Sequence, residues 1–215
     1  MRHLRSFTTT ALRLAESWSV FDVGRTTVYD SENGRYYYVV AAGAGASTMV
    51  PFAEQFGYIT LPLVSFREVD SSSDVGNIVA NGGVLASDTT PIYRGDAAEM
   101  QEIAWAASNS DPIATSVVLP ADFDGSRDVT VMLRTASGGT TNAATFTVET
   151  GWDGAALVSD TATGAAATAF AAANATVAAA DVADSSYSAT IVLTPAAHTT
   201  DTMLLRSCML KYYRK

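Results

Sequence analysis

The sequence predicts a mainly all-β protein, and three of its features lead to that class. Apolar and polar residues alternate with period 2 in several segments, as they do in strands that bury one face. Charged residues make up only 16% of the chain, and small neutral residues such as alanine and threonine take up the difference. Pairs such as Asn33-Gly34 and Gly138-Gly139 supply turns between the alternating segments.

The segment of residues 113–151 shows the pattern most clearly. Alternation over Val129–Leu133 and again over Phe146–Glu149 predicts two strands. The stretch between them contains Gly138-Gly139 together with serine, threonine and asparagine, all of which favour a turn. We therefore predict a long-looped hairpin, preceded by a short strand at Ser116–Leu119.

The N-terminal segment is consistent with two structures. Leu14, Trp18 and Phe21 have the i, i+4, i+7 spacing of a short amphipathic helix. Trp18, Val20 and Val23 would instead belong to an extended arm. In both cases Trp18 and Phe21 are candidate anchors, either to their own domain or to another subunit.

A hairpin is predicted next, where Asn33-Gly34 precedes the strand Arg35–Ala42. Three adjacent tyrosines in that strand, Tyr36, Tyr37 and Tyr38, place rings on both of its faces. These rings either pack under a neighbouring loop or form a platform for a ligand.

Residues 58–112 mix strand and helix signals. Tyr58–Val69 is predicted as a strand, and Pro62 within it requires an edge position or a bulge. Asp96–Ala107 predicts a helix that begins with a capping box completed by Glu99. Ser108–Pro112 ends this helix and marks a domain boundary.

The remaining sequence is predicted as strands. Leu157–Ala183 is rich in alanine, but its threonines weaken a helix and its alternation allows short strands with loops. Tyr187–Pro195 is a further strand, and Thr202–Tyr213 is semi-apolar on both faces, which indicates a central strand. The chain is accordingly divided into an N-terminal arm and attachment region, residues 1–110, and a β domain, residues 111–215.

Charge and length exclude several classes of partner. The formal charge of −9 and the pI near 4.5 make a nucleic acid an unsuitable partner, because each phosphate contact needs a lysine or an arginine. No run approaches the ~20 apolar residues that span a bilayer, so no membrane partner is predicted. The single cysteine, Cys208, rules out an intramolecular disulfide and is predicted to be a small buried hydrophobe.

The sequence carries no catalytic or cofactor motif, so neither an enzymatic activity nor a cofactor is predicted. His3 and His198 are too few for a metal triad and are predicted to lie at the surface. The motif Asp122-x-Asp124-Gly125-x-x-Asp128 resembles half of a calcium loop but lacks its terminal glutamate, and a turn at the entry to a strand is predicted. Convergence of Asp122, Glu149 and Asp153 would suit glycoside cleavage, but nothing selects these three over the other acidic residues.

A resemblance to a known family rests on three segments. Leu119–Leu133 contains an L-P-x-D-x-D-G turn leading into a strand, Thr145–Glu149 supplies an F-x-V-E strand, and Met203–Lys215 closes the chain. This arrangement resembles the jelly-roll virion structural proteins of tailed bacteriophages, of the head decoration, cement or head-fibre type. The resemblance covers roughly the C-terminal half. It implies an antiparallel jelly-roll-like β-sandwich there, beside a less regular N-terminal β region that contains one short helix.

The resemblance also implies a function. The expected protein is a non-enzymatic virion component that attaches to the shell, contacts the major capsid protein or another virion subunit, and forms a homo-trimer. It would be assembled in the host cytoplasm. The alternative is a tail-associated receptor-binding or carbohydrate-binding module that stacks aromatic rings on its ligand. The candidate partner-binding residues are Trp18, Phe21, Tyr36, Tyr37, Tyr38 and Trp152.

Overall fold

A computed structural model of the chain shows two compact units, residues 1–55 and residues 56–214. The described residues are 3–31, 35–45, 49–51, 56–69, 83–85, 91–95, 100–182 and 187–214. The mainly β class is confirmed, and the structure contains an antiparallel jelly-roll-like sandwich.

The first unit is a four-stranded sheet with one short helix. Its elements are β1 (His3–Phe7), α1 (Thr10–Ala15), β2 (Thr26–Asp30), β3 (Arg35–Val39) and β4 (Met49–Pro51). The strand order is β1-β2-β3-β4, with β1 parallel to β2 and the other pairs antiparallel. The antiparallel pairing of β2 and β3 agrees with the predicted hairpin, whereas its Asn33-Gly34 turn lies outside the described residues.

The helix of this unit is shorter than the helix predicted from the spacing of Leu14, Trp18 and Phe21. The hydroxyl of Thr9 accepts the N–H of Leu12 and caps the start of α1, which ends at Ala15. Trp18 lies beyond the helix, and its backbone forms an antiparallel bridge with Gly43. The indole side chain is buried in the small core of the unit, with the following residues: Val28, Tyr37, Val39 and Met49.

A buried ion pair joins α1 to the sheet. The Nε of Arg13 donates to Oδ2 of Asp30 at 2.8 Å, and both side chains are buried. The guanidinium also lies over the ring of Tyr37, with its Cζ 3.9 Å from the ring centroid. The pairing and the cation–π contact compensate for removing both charges from water.

The second unit is a sandwich of two sheets. Its strands are β5 (Phe56–Leu61), β6 (Arg67–Glu68), β7 (Ile92–Gly95), β8 (Gln101–Trp105), β9 (Ile113–Val118), β10 (Val129–Ser137), β11 (Phe146–Trp152), β12 (Val158–Ala162), β13 (Ala171–Val177), β14 (Ser188–Pro195) and β15 (Met203–Tyr213). The six-stranded sheet has the order β13-β10-β15-β8-β7, with β5 paired to the C-terminal part of β15. The five-stranded sheet has the order β12-β11-β14-β9-β6. The inward side chains of both sheets form one apolar core.

The structure divides the chain earlier than the predicted boundary at residue 110. Strands β5 and β8 pair with β15, so this part of residues 56–110 completes the sandwich. The predicted boundary segment, Ser108–Pro112, is the loop between β8 and β9 within that unit. Sequence separation hid this pairing because β15 lies about a hundred residues downstream of β8.

The helix predicted at Asp96–Ala107 is wrong, because residues 101–105 form strand β8. This strand pairs with β7 on one side and with β15 on the other. Ile103 and Trp105 point into the core, while Glu102, which precedes Ile103, is ion-paired with Arg94 and Arg206. Tertiary pairing has overridden the local helical signal.

The hairpin predicted between β10 and β11 is also wrong. Both strands exist, but β10 pairs with β13 and β15, whereas β11 pairs with β12 and β14. The loop between them therefore crosses from one sheet to the other. The strands predicted within Leu157–Ala183 and the central position of β15 are confirmed.

A polar clasp fixes this crossing loop. Oδ2 of Asp201, which is buried, accepts the N–H groups of Thr141 and Asn142 at 2.7 Å and the hydroxyl of Ser137 at 3.2 Å. In return, Oδ1 of Asn142 accepts the N–H groups of Thr200 and Asp201. The loop before β15 is thus tied to the loop after β10 in both directions.

His198 is buried, contrary to the surface position predicted for it. Its Nδ1 lies 2.7 Å from the carbonyl oxygen of Ala196, and its Nε2 lies 3.0 Å from that of Ala106. Both ring nitrogens therefore lie within hydrogen-bond distance of a backbone carbonyl oxygen. The ring therefore links the β14–β15 connection to the loop after β8.

Removing this ring is expected to destabilise the sandwich. His198→Ala removes a buried ring and its contacts with the carbonyl groups of Ala106 and Ala196, and it should lower the free energy of unfolding by about 1–3 kcal/mol. Urea denaturation followed by circular dichroism measures the change, with the exposed Thr199→Ala as the control. Equal stability of the two variants would contradict a structural role for His198.

Candidate partner-binding surfaces

The predicted partner-binding residues do not form one surface. Trp18 and Tyr37 are buried in the core of the first unit, and Trp152 is buried in the sandwich, where it stacks on Phe123 with centroids 5.8 Å apart. Tyr36 is 47% exposed and Tyr38 is half-buried, so the three tyrosines present no continuous platform. Of the two N-terminal anchors, only Phe21 faces solvent.

Phe21 belongs to an exposed apolar turn in the first unit. The turn presents Val20 at 71% exposure and Phe21 at 75% exposure, followed by Val23 at 36%. We call these three residues the apolar turn. A cluster of exposed large apolar side chains is typical of an interaction site, because exposing apolar surface to water is unfavourable in free energy.

The backbone beneath the apolar turn is well ordered by hydrogen bonds. Oδ2 of Asp22 accepts the N–H and the hydroxyl of Ser19, and its Oδ1 accepts the hydroxyl of Thr26. These bonds hold the pKa of Asp22 below its usual range, and the bond from the Ser19 hydroxyl has the largest effect. Gly24 completes the turn with a φ of +68° and donates its N–H to Val39. The backbone that carries the apolar side chains is therefore already ordered in the free chain.

The outer face of the six-stranded sheet is a second candidate surface. We use this name for the outward side chains of β13, β10, β15 and β5. Strand register places Thr176, Thr130, Lys211 and Tyr58 in one row across the sheet. A parallel row consists of Asn174, Met132, Met209 and Thr60.

Aromatic rings and cations alternate at one end of this face. The rings of Phe56 and Tyr213 are 4.9 Å apart. The Nζ of Lys211 lies 3.8 Å from the centroid of Phe56, and the Cζ of Arg127 lies 4.6 Å from that of Tyr213. Tyr58, opposite Lys211 in register, is 57% exposed. The cation–π contacts hold the charged groups against the face.

The acidic residues considered for glycoside cleavage have separate structural surroundings. Asp122 accepts the hydroxyl of Tyr212 and pairs with Arg214. Asp153 accepts the N–H groups of Tyr187 and Ser188; burial acts to raise its pKa, but these bonds outweigh burial and lower it. Burial raises the pKa of a third carboxyl, that of Glu149 on β11.

The half calcium loop is a turn in which each carboxylate has its own partner. Asp124 accepts the N–H and hydroxyl of Ser126, and Asp128 accepts the N–H of Ala179. Within the described ranges no three residues of the His, Cys, Asp and Glu types come together as a metal site would require. Cys208 is buried, as predicted, and burial raises the pKa of its thiol.

A small cavity lies beside β6 and β7 in the second unit. It has a volume of about 100 Å³ and is mainly apolar. The Nη1 of Arg67 in its wall donates to the carbonyl groups of Val64 and Phe66. The lining residues are Leu63, Val64, Phe66, Arg67, Val84, Leu85 and Tyr93. In the part of the chain that the structure describes, no helix is both long and apolar enough to cross a membrane.

Comparisons with known proteins give architectural likeness only. The sequence matches no family model and none of the curated proteins. Among solved structures, the xylan-binding module CBM15 superposes with a TM-score of 0.47 and 8% identity, covering 74% of this chain and 97% of that one. TmCBM61, solved with β-1,4-galactotriose, gives a TM-score of 0.38, 10% identity and coverages of 74% and 88%. CsCBM6-3 from Clostridium stercorarium, solved with cellobiose, gives 0.37, 16% identity and coverages of 61% and 92%. Similarity at this level does not identify a function.

Proposed function

We propose that this chain is a non-enzymatic structural protein of a tailed-bacteriophage virion, of the capsid decoration, cement or head-fibre-base type. In this proposal the first unit attaches to the major capsid protein or another virion subunit. The sandwich is displayed from that attachment, and the assembled form is a homo-trimer. The observation that carries the proposal is the apolar turn, which exposes Val20 and Phe21 on a backbone ordered by Asp22.

The sequence resemblance and the composition also support this function. The L-P-x-D-x-D-G turn leads into β10 as it does in the virion proteins that the sequence resembles. The low share of charged residues, 16% of the chain, suits contact with a protein shell, because charged residues are depleted at the centre of protein interfaces.

Co-sedimentation with shells assembled from the major capsid protein of the same phage tests the attachment. Wild-type protein is expected to pellet with the shells, and Phe21→Ser should weaken binding about 10- to 100-fold, since burying a phenylalanine contributes about 1.5–3 kcal/mol. Val118→Ser, which changes an equally exposed apolar residue in the sandwich, is the control and should pellet like wild type. A stable monomer that stays in the supernatant would overturn the proposal.

The alternative, a receptor-binding or carbohydrate-binding module, loses the ring set first assigned to it. Tyr37 and Trp152 are buried and offer no ring face to a ligand in solution. Tyr36 is the exposed member of that set. If the chain is retained on host polysaccharide and Tyr36→Ala alone abolishes this retention, the original assignment is favoured.

A further inference from the structure

The outer face of the six-stranded sheet is an open surface with a mixed chemical character. Its two rows of side chains cross four strands, and strands lie about 4.8 Å apart, so each row spans roughly 14 Å. Threonine hydroxyls and the amide of Asn174 lie beside the thioethers of Met132 and Met209. Such a surface can contact an extended polymer along its length.

This face and its borders carry most of the positive charge of the second unit. Arg134, Arg206 and Lys211 belong to its strands, Arg94 lies beside it on β7, and Arg127 contacts Tyr213 at its end. The acidic Glu102 on the same side is buried between Arg94 at 3.0 Å and Arg206 at 3.3 Å, so its charge is already matched. In a chain with a formal charge of −9, this basic face has the opposite sign to the molecule as a whole. It should therefore attract anions locally.

The basic side chains are held in position by their neighbours. Arg206 lies over the ring of Phe170 at 3.8 Å, and the Nη2 of Arg134 donates to the carbonyl oxygen of Phe170. Lys211 rests on Phe56 as described above. Because these contacts already restrict the cations, a ligand that binds them loses less conformational entropy on binding.

We propose that the outer face of the six-stranded sheet binds an anionic polysaccharide, a glycan chain that bears carboxylates. Lys211 and Arg134 would pair with the carboxylates, and the exposed ring of Tyr58 would stack on the apolar face of a sugar. Threonine and asparagine side chains would exchange hydrogen bonds with sugar hydroxyls.

Charge complementarity and the hydroxyl and amide groups of the two rows together favour an anionic polysaccharide. A duplex nucleic acid would be repelled by the net charge of −9 and would need more phosphate contacts than these few cations supply. An acidic polypeptide has no sugar face to stack on the exposed ring and fewer hydroxyl groups to bond with the threonine side chains. This inference goes beyond the attachment function, and it concerns the other compact unit.

Affinity electrophoresis in gels containing alginate, a polyuronate, tests the inference with neutral dextran as the comparison polymer. The full chain should be retarded by alginate and not by dextran, and added NaCl should reduce the retardation. Lys211→Glu and Arg134→Glu should each weaken alginate binding at least tenfold, and Tyr58→Ala about tenfold. Arg25→Glu makes the same charge change in the first unit and should bind like wild type.

Four results would overturn the proposal. These are absence of alginate binding at low salt, equal retardation by dextran, equal loss of binding in the Arg25→Glu control, and retardation by poly-glutamate as strong as by alginate. The last result would assign the face to acidic proteins. Thermal melting of each variant checks that it folds, and Lys211→Gln supplies a milder change at the same site. Shell co-sedimentation is independent of all these measurements, so failure of either proposal leaves the other testable.

Discussion

Trp105→Ala is expected to lower the free energy of unfolding of the sandwich by about 3–5 kcal/mol, as for other large-to-small changes of a buried aromatic. Trp105 is fully buried on β8 and packs edge-on against Phe146 of β11, with ring centroids 5.4 Å apart. It therefore joins the six-stranded sheet to the five-stranded sheet. Its indole N–H also donates to the carbonyl oxygen of Asp111 at 2.9 Å, and this carbonyl loses its partner in the variant.

Urea denaturation followed by far-ultraviolet circular dichroism measures this change without depending on tryptophan fluorescence. Trp105→Phe keeps most of the apolar volume but removes the indole donor, and it should cost less than the alanine variant. Val118→Ala, at an exposed position, is the control and should change stability by less than about 0.5 kcal/mol. A loss below about 1 kcal/mol for Trp105→Ala would contradict the central position of this side chain.

The alternation of apolar residues predicted strands more reliably than it predicted their partners. Both β10 and β11 were expected from their sequence, and both bury one face. Period 2 reports only that one face is buried, and this holds equally for a hairpin and for strands in two facing sheets. The sheet to which each strand belongs depends on distant segments, such as β13 for β10 and β14 for β11.

A bulge limited the prediction of side-chain faces in β15. Simple alternation along β15 predicts that Met203, Leu205, Ser207 and Met209 share one face. The register shifts at Arg206, because Arg134 pairs with Ser207 whereas Thr135 pairs with Leu205. After the extra residue the inward side chains are those of Cys208, Leu210 and Tyr212. A β-bulge leaves no certain signal in one sequence, since it is set by the pairing of two strands.

The candidate surfaces show the same division between local and distant signals. Phe21 was predicted as an anchor, together with Trp18, from its position in the N-terminal segment, and the structure leaves it exposed. Tyr58 and Lys211 were not predicted as candidates, because their adjacency arises from the pairing of β5 with β15. His198 was placed at the surface because its neighbours are polar, and its burial follows from the carbonyl groups of Ala106 and Ala196.

Asp201→Ala is expected to loosen the clasp between the loop after β10 and the loop before β15, with a fall in melting temperature of roughly 5–10 °C at pH 7. Oδ2 of Asp201 accepts three hydrogen bonds, from Ser137, Thr141 and Asn142. The variant leaves these donors without an acceptor in a part-buried position. Asp201→Asn keeps the shape but removes the charge and should lie between alanine and wild type. Thr200→Ala retains its backbone bond to Asn142 and is the control.

The contribution of Asp201 should also depend on pH with a definite sign. The hydrogen bond from the amide of Asn142 has the largest effect on the pKa of Asp201 and lowers it. Burial acts to raise this pKa, but the amide of Thr141 and the hydroxyl of Ser137 also lower it, so it stays below its usual range. An aspartate of an unfolded chain has a pKa of about 3.9. Because the pKa is lower in the folded state, the stabilisation is fully present above the unfolded value and is lost as the pH falls through the folded one. The difference in melting temperature between wild type and Asp201→Ala should therefore be constant from about pH 5 to 7 and shrink as the pH falls from about 4 towards 2. A difference that stays constant over the whole range would show that the clasp does not depend on the charge of Asp201.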